Sequence, residues 1–288
     1  MTSASVAPAP TSPGWQAALD LRFQRWDRRT VLAHCAHHGP LRVQRSFHPE
    51  GGQVCHVALL HPPGGVVGGD DLRIDIALDP GSHALVTTPA AGKFYRSAGP
   101  WARQAQHLTV AANAALEWLP QETIVYDGAR VRTLTRVELQ GDARFIGWDI
   151  VCLGRPAADE RWQTGDYLQD LELWRDGEPL YLERGRYAGS APVMGAAWGL
   201  RGHPVFATLV CAGSPPDAVG AIRAGWQTLA APSRVEAEAT VSQLDGVLIA
   251  RYLGPSTARA RQLLILAWSL LRPILLDRPP CPSRFWAT

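Results

Sequence analysis

Leu72, Ile74, Ile76 and Leu78 alternate strictly with Arg73, Asp75, Ala77 and Asp79. A period of two places successive side chains on opposite faces of an extended strand, so this run predicts a strand with one buried face. The same period recurs at Ala17, Leu19, Leu21 and Phe23, and again at Val131, Thr133, Thr135, Val137 and Leu139. Leu41 to Gln44, Val54 to Leu60, Leu108 to Val110 and Ala115 to Leu119 read as further short strands. Arg144 to Leu153 is apolar almost throughout except for Asp149, the pattern of a strand buried on both faces. Asp79-Pro80-Gly81 between Leu78 and His83 signals a hairpin, and Asp127-Gly128 and Asp176-Gly177 are hairpin-type turns.

From Ala17 to about Leu182 the chain therefore predicts many short strands and little helix: a mainly β fold of stacked sheets, a sandwich or a solenoid-like stack. No fixed-period repeat is visible, so a regular repeat protein is not supported. The last third differs. Ser214-Pro215-Pro216-Asp217 is a helix start, with a capping serine and proline in the first turn, for a helix over about 215–229. Val235 to Val241 and Val247 to Tyr252 read as strands around Asp245-Gly246. Ser256 or Thr257 caps a second helix to about Leu271, which Arg272-Pro273 ends or kinks. The expected organisation is a disordered tail over 1–13 and one domain over 14–288. Its β body covers about 17–190, and a helix–strand–strand–helix part, read as a separate layer or subdomain, covers about 214–272.

Composition excludes several classes. A formal net charge of +2 does not call for a nucleic-acid partner. The longest apolar run, Leu263 to Leu271, is far short of the ~20 residues that span a bilayer, so no membrane is implied. Five cysteines are scattered with no Cys-x-x-Cys pair, which argues against a disulfide framework or a structural zinc site and for a reducing cytoplasm. Eleven tryptophans against six phenylalanines point to interfaces.

The stretch His61-Pro62-Pro63-Gly64-Gly65-Val66-Val67-Gly68-Gly69-Asp70 is a specified turn that delivers Asp70 to a strand start. It lacks the Gly-Lys-Ser/Thr ending of a phosphate loop, and Gly92-Lys93 is followed by Phe94, so nothing predicts nucleotide binding. His34, Cys35, His37 and His38 form one cluster and Cys55, His56 and His61 another, but neither has a metal-motif spacing. His56 and His61 would face opposite sides of an extended strand. They read as strand residues before ligands. Three acids stand out. Asp149 lies inside an apolar strand, where a charge needs a partner, a channel or a ligand; an arginine such as Arg155 or Arg184 is the plain alternative. Glu183 follows Leu180-Tyr181-Leu182, with a solvated strand end as its plain alternative, and Asp70 could be a turn cap. Lys93-Phe94-Tyr95-Arg96-Ser97 reads as a solvated loop with two packed rings before a base- or anion-binding element. No serine or cysteine nucleophile stands out. Asp149 and Glu183 could serve a carbohydrate-active β enzyme as an acid–base pair; a plain binding module is a third reading.

Several stretches together resemble one family. They are Gly39-Pro40-Leu41-Arg42-Val43-Gln44-Arg45, Cys55-His56, the glycine-rich segment Leu60 to Asp70, Thr87-Thr88-Pro89 with Lys93-Phe94-Tyr95-Arg96-Ser97, Leu116-Glu117-Trp118-Leu119-Pro120-Gln121-Glu122, Trp148-Asp149 with Leu153-Gly154-Arg155-Pro156, and the ending Arg284-Phe285-Trp286-Ala287-Thr288. In order and density they resemble the urease accessory protein UreD family, called UreH in some organisms. The resemblance implies a non-enzymatic scaffold with a β-helix-like stack of sheets and two added α-helical segments. It implies binding to the urease apoprotein and to a UreF-type accessory protein, with a UreG-type GTPase joining through UreF. No cofactor would be tightly bound. Nickel would pass transiently through an internal channel, whose acids fall on Asp70, Asp149 and Glu183. A small polar residue often precedes the lysine of the Lys-Phe-Tyr-Arg-Ser motif, and here Gly92 stands there.

Overall fold

The computed structural model describes residues 14–213, 217–229 and 237–287. The 1–13 tail, the Ser214–Pro216 helix start and the first residues of the strand expected from Val235 lie outside them. Seventeen strands are described: β1 (Gln16–Trp26), β2 (Arg29–His38), β3 (Arg42–Val43), β4 (Cys55–Leu60), β5 (Asp71–Leu78), β6 (His83–Thr87), β7 (Gly92–Phe94), β8 (Ala102–Val110), β9 (Ala115–Trp118), β10 (Thr123–Val125), β11 (Arg130–Leu139), β12 (Arg144–Leu153), β13 (Asp166–Arg175), β14 (Glu178–Ala188), β15 (Val205–Ala212), β16 (Glu238–Leu244) and β17 (Val247–Gly254). Helix α1 covers Ala218–Thr228 and α2 covers Thr257–Leu276.

One sheet runs β14-β13-β11-β8-β5-β1-β2. The other runs β16-β17-β15-β12-β9-β6-β4-β3, with β10 joined to β12 and β7 to β10. Within the first, β1, β5, β8, β11 and β13 are parallel neighbours. Within the second, β4, β6, β9 and β12 are parallel. From β4 to β13 the chain deposits strands on the two sheets in turn and climbs as it goes, which makes the expected β-helix-like stack. Antiparallel strands finish it: β2 and β14 flank the first sheet, and β15, β17 and β16 extend the second. The C-terminal strands therefore continue an existing sheet.

Two expected hairpins are corners instead. Asp79-Pro80-Gly81 links β5 to β6, which lie in different sheets. The turn closes through Ser82 N–H and Oγ donating to the Asp79 carbonyl, at 3.1 and 2.6 Å. The Asp79 carboxylate accepts from Arg22 and Gln24 of the neighbouring rung, both at 2.8 Å. Asp127-Gly128 likewise turns from β10 toward β11, and Asp127 Oδ1 accepts from the N–H of Gln163 and Thr164 at 2.8 and 2.7 Å. Asp176-Gly177 and Asp245-Gly246 do join antiparallel pairs. Alternation says which face a residue takes but not which strand it pairs with, so corner and hairpin read alike.

Two cores result. Leu19, Leu21, Phe23, Leu72, Ile76, Val137, Phe145 and Val151 fill the space between the sheets. Ile146, Trp148, Ile150, Leu209, Ile222, Leu264, Trp268 and Leu271 form a second core where the helices cover the outer face of the larger sheet. β12 contributes to both, which is why its sequence is apolar almost throughout. Ser256 caps α2, accepting from Arg259 N–H at 3.2 Å. The helix runs past the expected end at Leu271, through Pro273 to Leu276. One missing N–H is outweighed because Leu275 and Leu276 are buried in the second core. Asp277 then ends it in the left-handed region with φ 52°.

Candidate functional site

The site begins at the glycine-rich segment. Its backbone is docked on residues 92–97: Val66 N–H donates to the Lys93 carbonyl at 2.8 Å, and Tyr95 N–H to the Val66 carbonyl at 2.9 Å. A Cβ on Gly65 would stand 2.1 Å from the Tyr95 ring, so this approach requires glycine. Asp70 is buried at the foot of the segment. Its Oδ1 accepts from Trp15 N–H at 2.8 Å and its Oδ2 from Val67 N–H at 2.9 Å. It ties the loop to the start of β1 and does not line the cavity described next.

Behind the segment a cavity of about 480 Å³ opens between the two sheets. His61, Gly64, Gly65 and Lys93 stand among its lining, with Gln104, Gln106, Thr133, Thr135 and Asp149. The polar residues come from the pairing register. Leu72, Gln104, Thr133 and Gln169 are successive partners across β5, β8, β11 and β13, and Ile74, Gln106, Thr135 and Leu171 form the adjacent row. A polar stripe thus crosses the inner face of the smaller sheet. Thr135 Oγ1 donates to Gln106 Oε1 at 2.5 Å, and Thr133 Oγ1 and the Tyr167 hydroxyl lie 3.0 Å apart. His61 Nε2 is buried with no hydrogen-bond partner among the described residues. Burial lowers the His61 pKa and the nearby Asp70 carboxylate opposes this.

Asp149 faces this stripe from β12. Neither Arg155 nor Arg184 reaches it: Arg155 pairs with Glu160, and Arg184 with Asp170 and Glu172. Its Oδ2 accepts from Gln169 Nε2 at 2.7 Å. Burial pushes its carboxyl up to about 6, opposed by the Gln169 bond and reinforced by the charge of Glu183. Glu183, on β14, is the partner of Leu171 across the sheet. Its Oε2 accepts from the Tyr181 hydroxyl at 2.7 Å and its Oε1 pairs with Arg251 at 3.2 Å. Arg251 is in register with Thr208, and Thr208 with Asp149, so acid, hydroxyl and guanidinium form one row across the larger sheet. The fold brings Asp149 and Glu183 to the same interior and holds Asp70 apart as a loop tie. Glu183 is neutralised by Arg251, which suits an acid–base pair poorly.

A prediction follows from Asp149. Its folded carboxyl lies above the 3.8 of an unfolded chain, so the folded state binds the proton more tightly. Stability therefore falls as pH rises from about 4 to about 6 and stays low above that range. Asp149→Asn is expected to remove this slope and to stabilise the protein by about 3 kcal/mol at neutral pH. Urea unfolding of both proteins across that range checks it; parallel profiles would contradict the assignment.

A second buried cluster was not anticipated. Glu117 and Arg272 are both fully buried. Arg272 Nε donates to Glu117 Oε2 at 3.0 Å and Nη2 to Glu50 Oε1 at 2.6 Å, and Nη1 reaches the Pro279 carbonyl. Trp268 Nε1 donates to Glu117 Oε2 at 2.6 Å, and His83 Nε2 lies 2.8 Å from Glu117 Oε1. Burial alone would push the Glu117 carboxyl up, but His83 and Arg272 outweigh it and bring it down to about 2. The clue was in the sequence: Glu117 stands in an apolar strand just as Asp149 does.

Fold and cavity together define a parallel β-stack protein with an acid-bearing polar interior. No helix among the described residues is long and apolar enough to cross a membrane. The family model described as UreD urease accessory protein matches residues 16–287. A urease accessory protein UreD of Dechloromonas aromatica is 47% identical over 279 residues, covering 96% of each chain. One of Pseudomonas fluorescens strain Pf-5 is 45% identical over 283 residues, covering 98% of this chain and 99% of its own, and one of Citrobacter koseri is 42% identical over 284 residues, covering 99% and 95%. The chain belongs to the UreD family of urease accessory proteins, a family of maturation factors rather than catalysts.

Proposed function

We propose that this chain is a cytoplasmic urease maturation scaffold. It binds the urease apoprotein and a UreF-type accessory protein, with a UreG-type GTPase joining through the latter, and nickel crosses its polar interior on the way to the urease active site. The observation that carries this reading is the cavity with Asp149 at its inner wall, in a chain of the urease accessory family. Carboxylate, amide and hydroxyl oxygens hold a borderline cation less tightly than imidazole and thiolate do, so a path lined by them releases its cargo. Lys93 and His61 stand at the glycine-rich end, and Glu183 with Arg251 lies beyond Asp149. Nickel is cargo here, and no tightly held cofactor is part of the reading. Trp15, Trp26 and Trp198 are 54%, 66% and 77% exposed, large apolar surface of the kind that partners cover. Neither nucleic acid nor membrane enters.

Co-expression with the urease subunits and the two accessory partners tests it. A tagged form of this chain is expected to recover UreF and apo-urease together, and the GTPase only when UreF is present. Recovery of neither would overturn the scaffold reading. Recovery of the GTPase without UreF would overturn the order of assembly.

A further inference from the structure

Glu50, His56 and Cys281 come from three distant parts of the chain. Glu50 lies in the connection before β4, His56 on β4, and Cys281 beyond the end of α2. One donor atom of each lies within 4.8 Å of the other two. His56 Nε2 is 2.7 Å from Glu50 Oε1, an oxygen that also accepts from Arg272. His56 is 1% exposed, and its Nδ1 is buried and unbonded. Cys281 is a free thiol. Nε2 is the His56 nitrogen that faces the Glu50 carboxylate, so the ring is already oriented toward the point the three residues share.

We propose that Glu50, His56 and Cys281 form a binding site for one borderline divalent cation, zinc or nickel in class, separate from the central cavity. Thiolate, imidazole and carboxylate are a donor set suited to such ions, and three protein ligands leave a fourth position for water. The local charge has the right sign. Glu50 and Glu117 supply two carboxylates against the one guanidinium of Arg272. The same carboxylates, after burial itself, hold the Cys281 thiol in its protonated form. On binding, the Sγ–H bond breaks, the proton goes to solvent, and sulfur donates its electron pair to the cation; affinity therefore rises with pH. The ion clips the segment after α2 to β4, beside the bond from Arg272 to the Pro279 carbonyl. Cys281 is half-buried, so an ion enters from the surface.

The test uses the purified full chain freed of metal by chelation, with Co²⁺ as the probe. One equivalent is expected to give a thiolate-to-cobalt charge-transfer absorption in the near ultraviolet, which Zn²⁺ abolishes by displacement. Cys281→Ser is expected to lose the band. Cys35→Ser and Asp149→Asn are expected to keep it, because Cys35 is exposed on β2 and Asp149 lines the cavity. Zn²⁺ is also expected to slow alkylation of Cys281 by about tenfold or more, since a bound thiolate is no longer a free nucleophile. No charge-transfer band, a band that survives Cys281→Ser, or unchanged alkylation with Zn²⁺ would each overturn the site. Oxygen-only binding in the cavity gives no such band, so the proposed function stands or falls separately.

Discussion

Asp149→Ala is expected to leave the complex with UreF and apo-urease intact while nickel per urease active site falls about tenfold or more. A carboxylate about 4 Å from a cation contributes about 4 kcal/mol per unit charge at an effective dielectric of about 20. A third of that is a tenfold change in occupancy. Assembly should survive because Asp149 is an interior residue whose side-chain partner is Gln169. Glu183→Ala acts in the same direction but less strongly, since Arg251 already offsets that charge. Asp70→Ala also lowers loading, through the loop: it frees Trp15 and Val67 and loosens the glycine-rich segment. The measurement is urease activation in cells, with nickel content and complex recovery determined together. Full loading by the triple variant in an intact complex would remove the acids from the path. Loss of the complex would assign them a structural role.

Glu117→Ala should be the most destabilising single substitution of a charged residue in the protein. It strips the fully buried Arg272 of the one carboxylate partner that is itself fully buried and leaves Trp268 Nε1 without an acceptor. Breaking one side of a buried pair costs about 3–5 kcal/mol. Replacing both partners, as in Glu117→Gln with Arg272→Met, is expected to cost less than the two single changes added, because neither charge is then stranded. The pH dependence runs opposite to that of Asp149. The folded Glu117 carboxyl lies below the 4.5 of the unfolded chain, so its contribution is present above about pH 4.5 and is lost as pH falls toward about 2. Chemical denaturation at neutral and acidic pH, with both single variants and the double, checks each part. Additive costs would mean that the charges act independently.

Much of the β stack was legible because burial imposes its period on the chain. β1, β5, β11 and β12 were each visible from alternation or from an unbroken apolar run. What hid was what departs from that rule. β8 was anticipated only from Leu108, yet it begins at Ala102; Gln104 and Gln106 point inward to the cavity, so the polarity that makes the site erased the strand signal. β2 was missed for the opposite reason: it is an exposed sheet edge rich in histidine, with little buried face to set a period. Asp149 was legible as a charge in an apolar setting, but Gln169 and Arg251 were not, because their roles depend on registers between distant strands. Glu117 meets the same criterion as Asp149, a charge in an apolar strand. Its partner Arg272 read as the end of a helix, and nothing local marks an arginine as the cation for a strand more than 150 residues earlier.

The stack also dictates an order of events during synthesis. Parallel neighbours are separated by a full circuit of chain, so β5 cannot close on β8 until residues near Val110 have left the ribosome. Glu117 leaves soon after, in a strand bound for the interior, with His83 already made but Arg272 and Trp268 still to come. Until α2 is complete, the nascent chain carries a carboxylate that lacks the guanidinium and indole donors it has in the folded protein. The rung that holds Glu117 is therefore expected to gain its full stability only when the last helix arrives. A chain that stops before Arg272 should stay loose and prone to aggregate, even though most of its strands are already present.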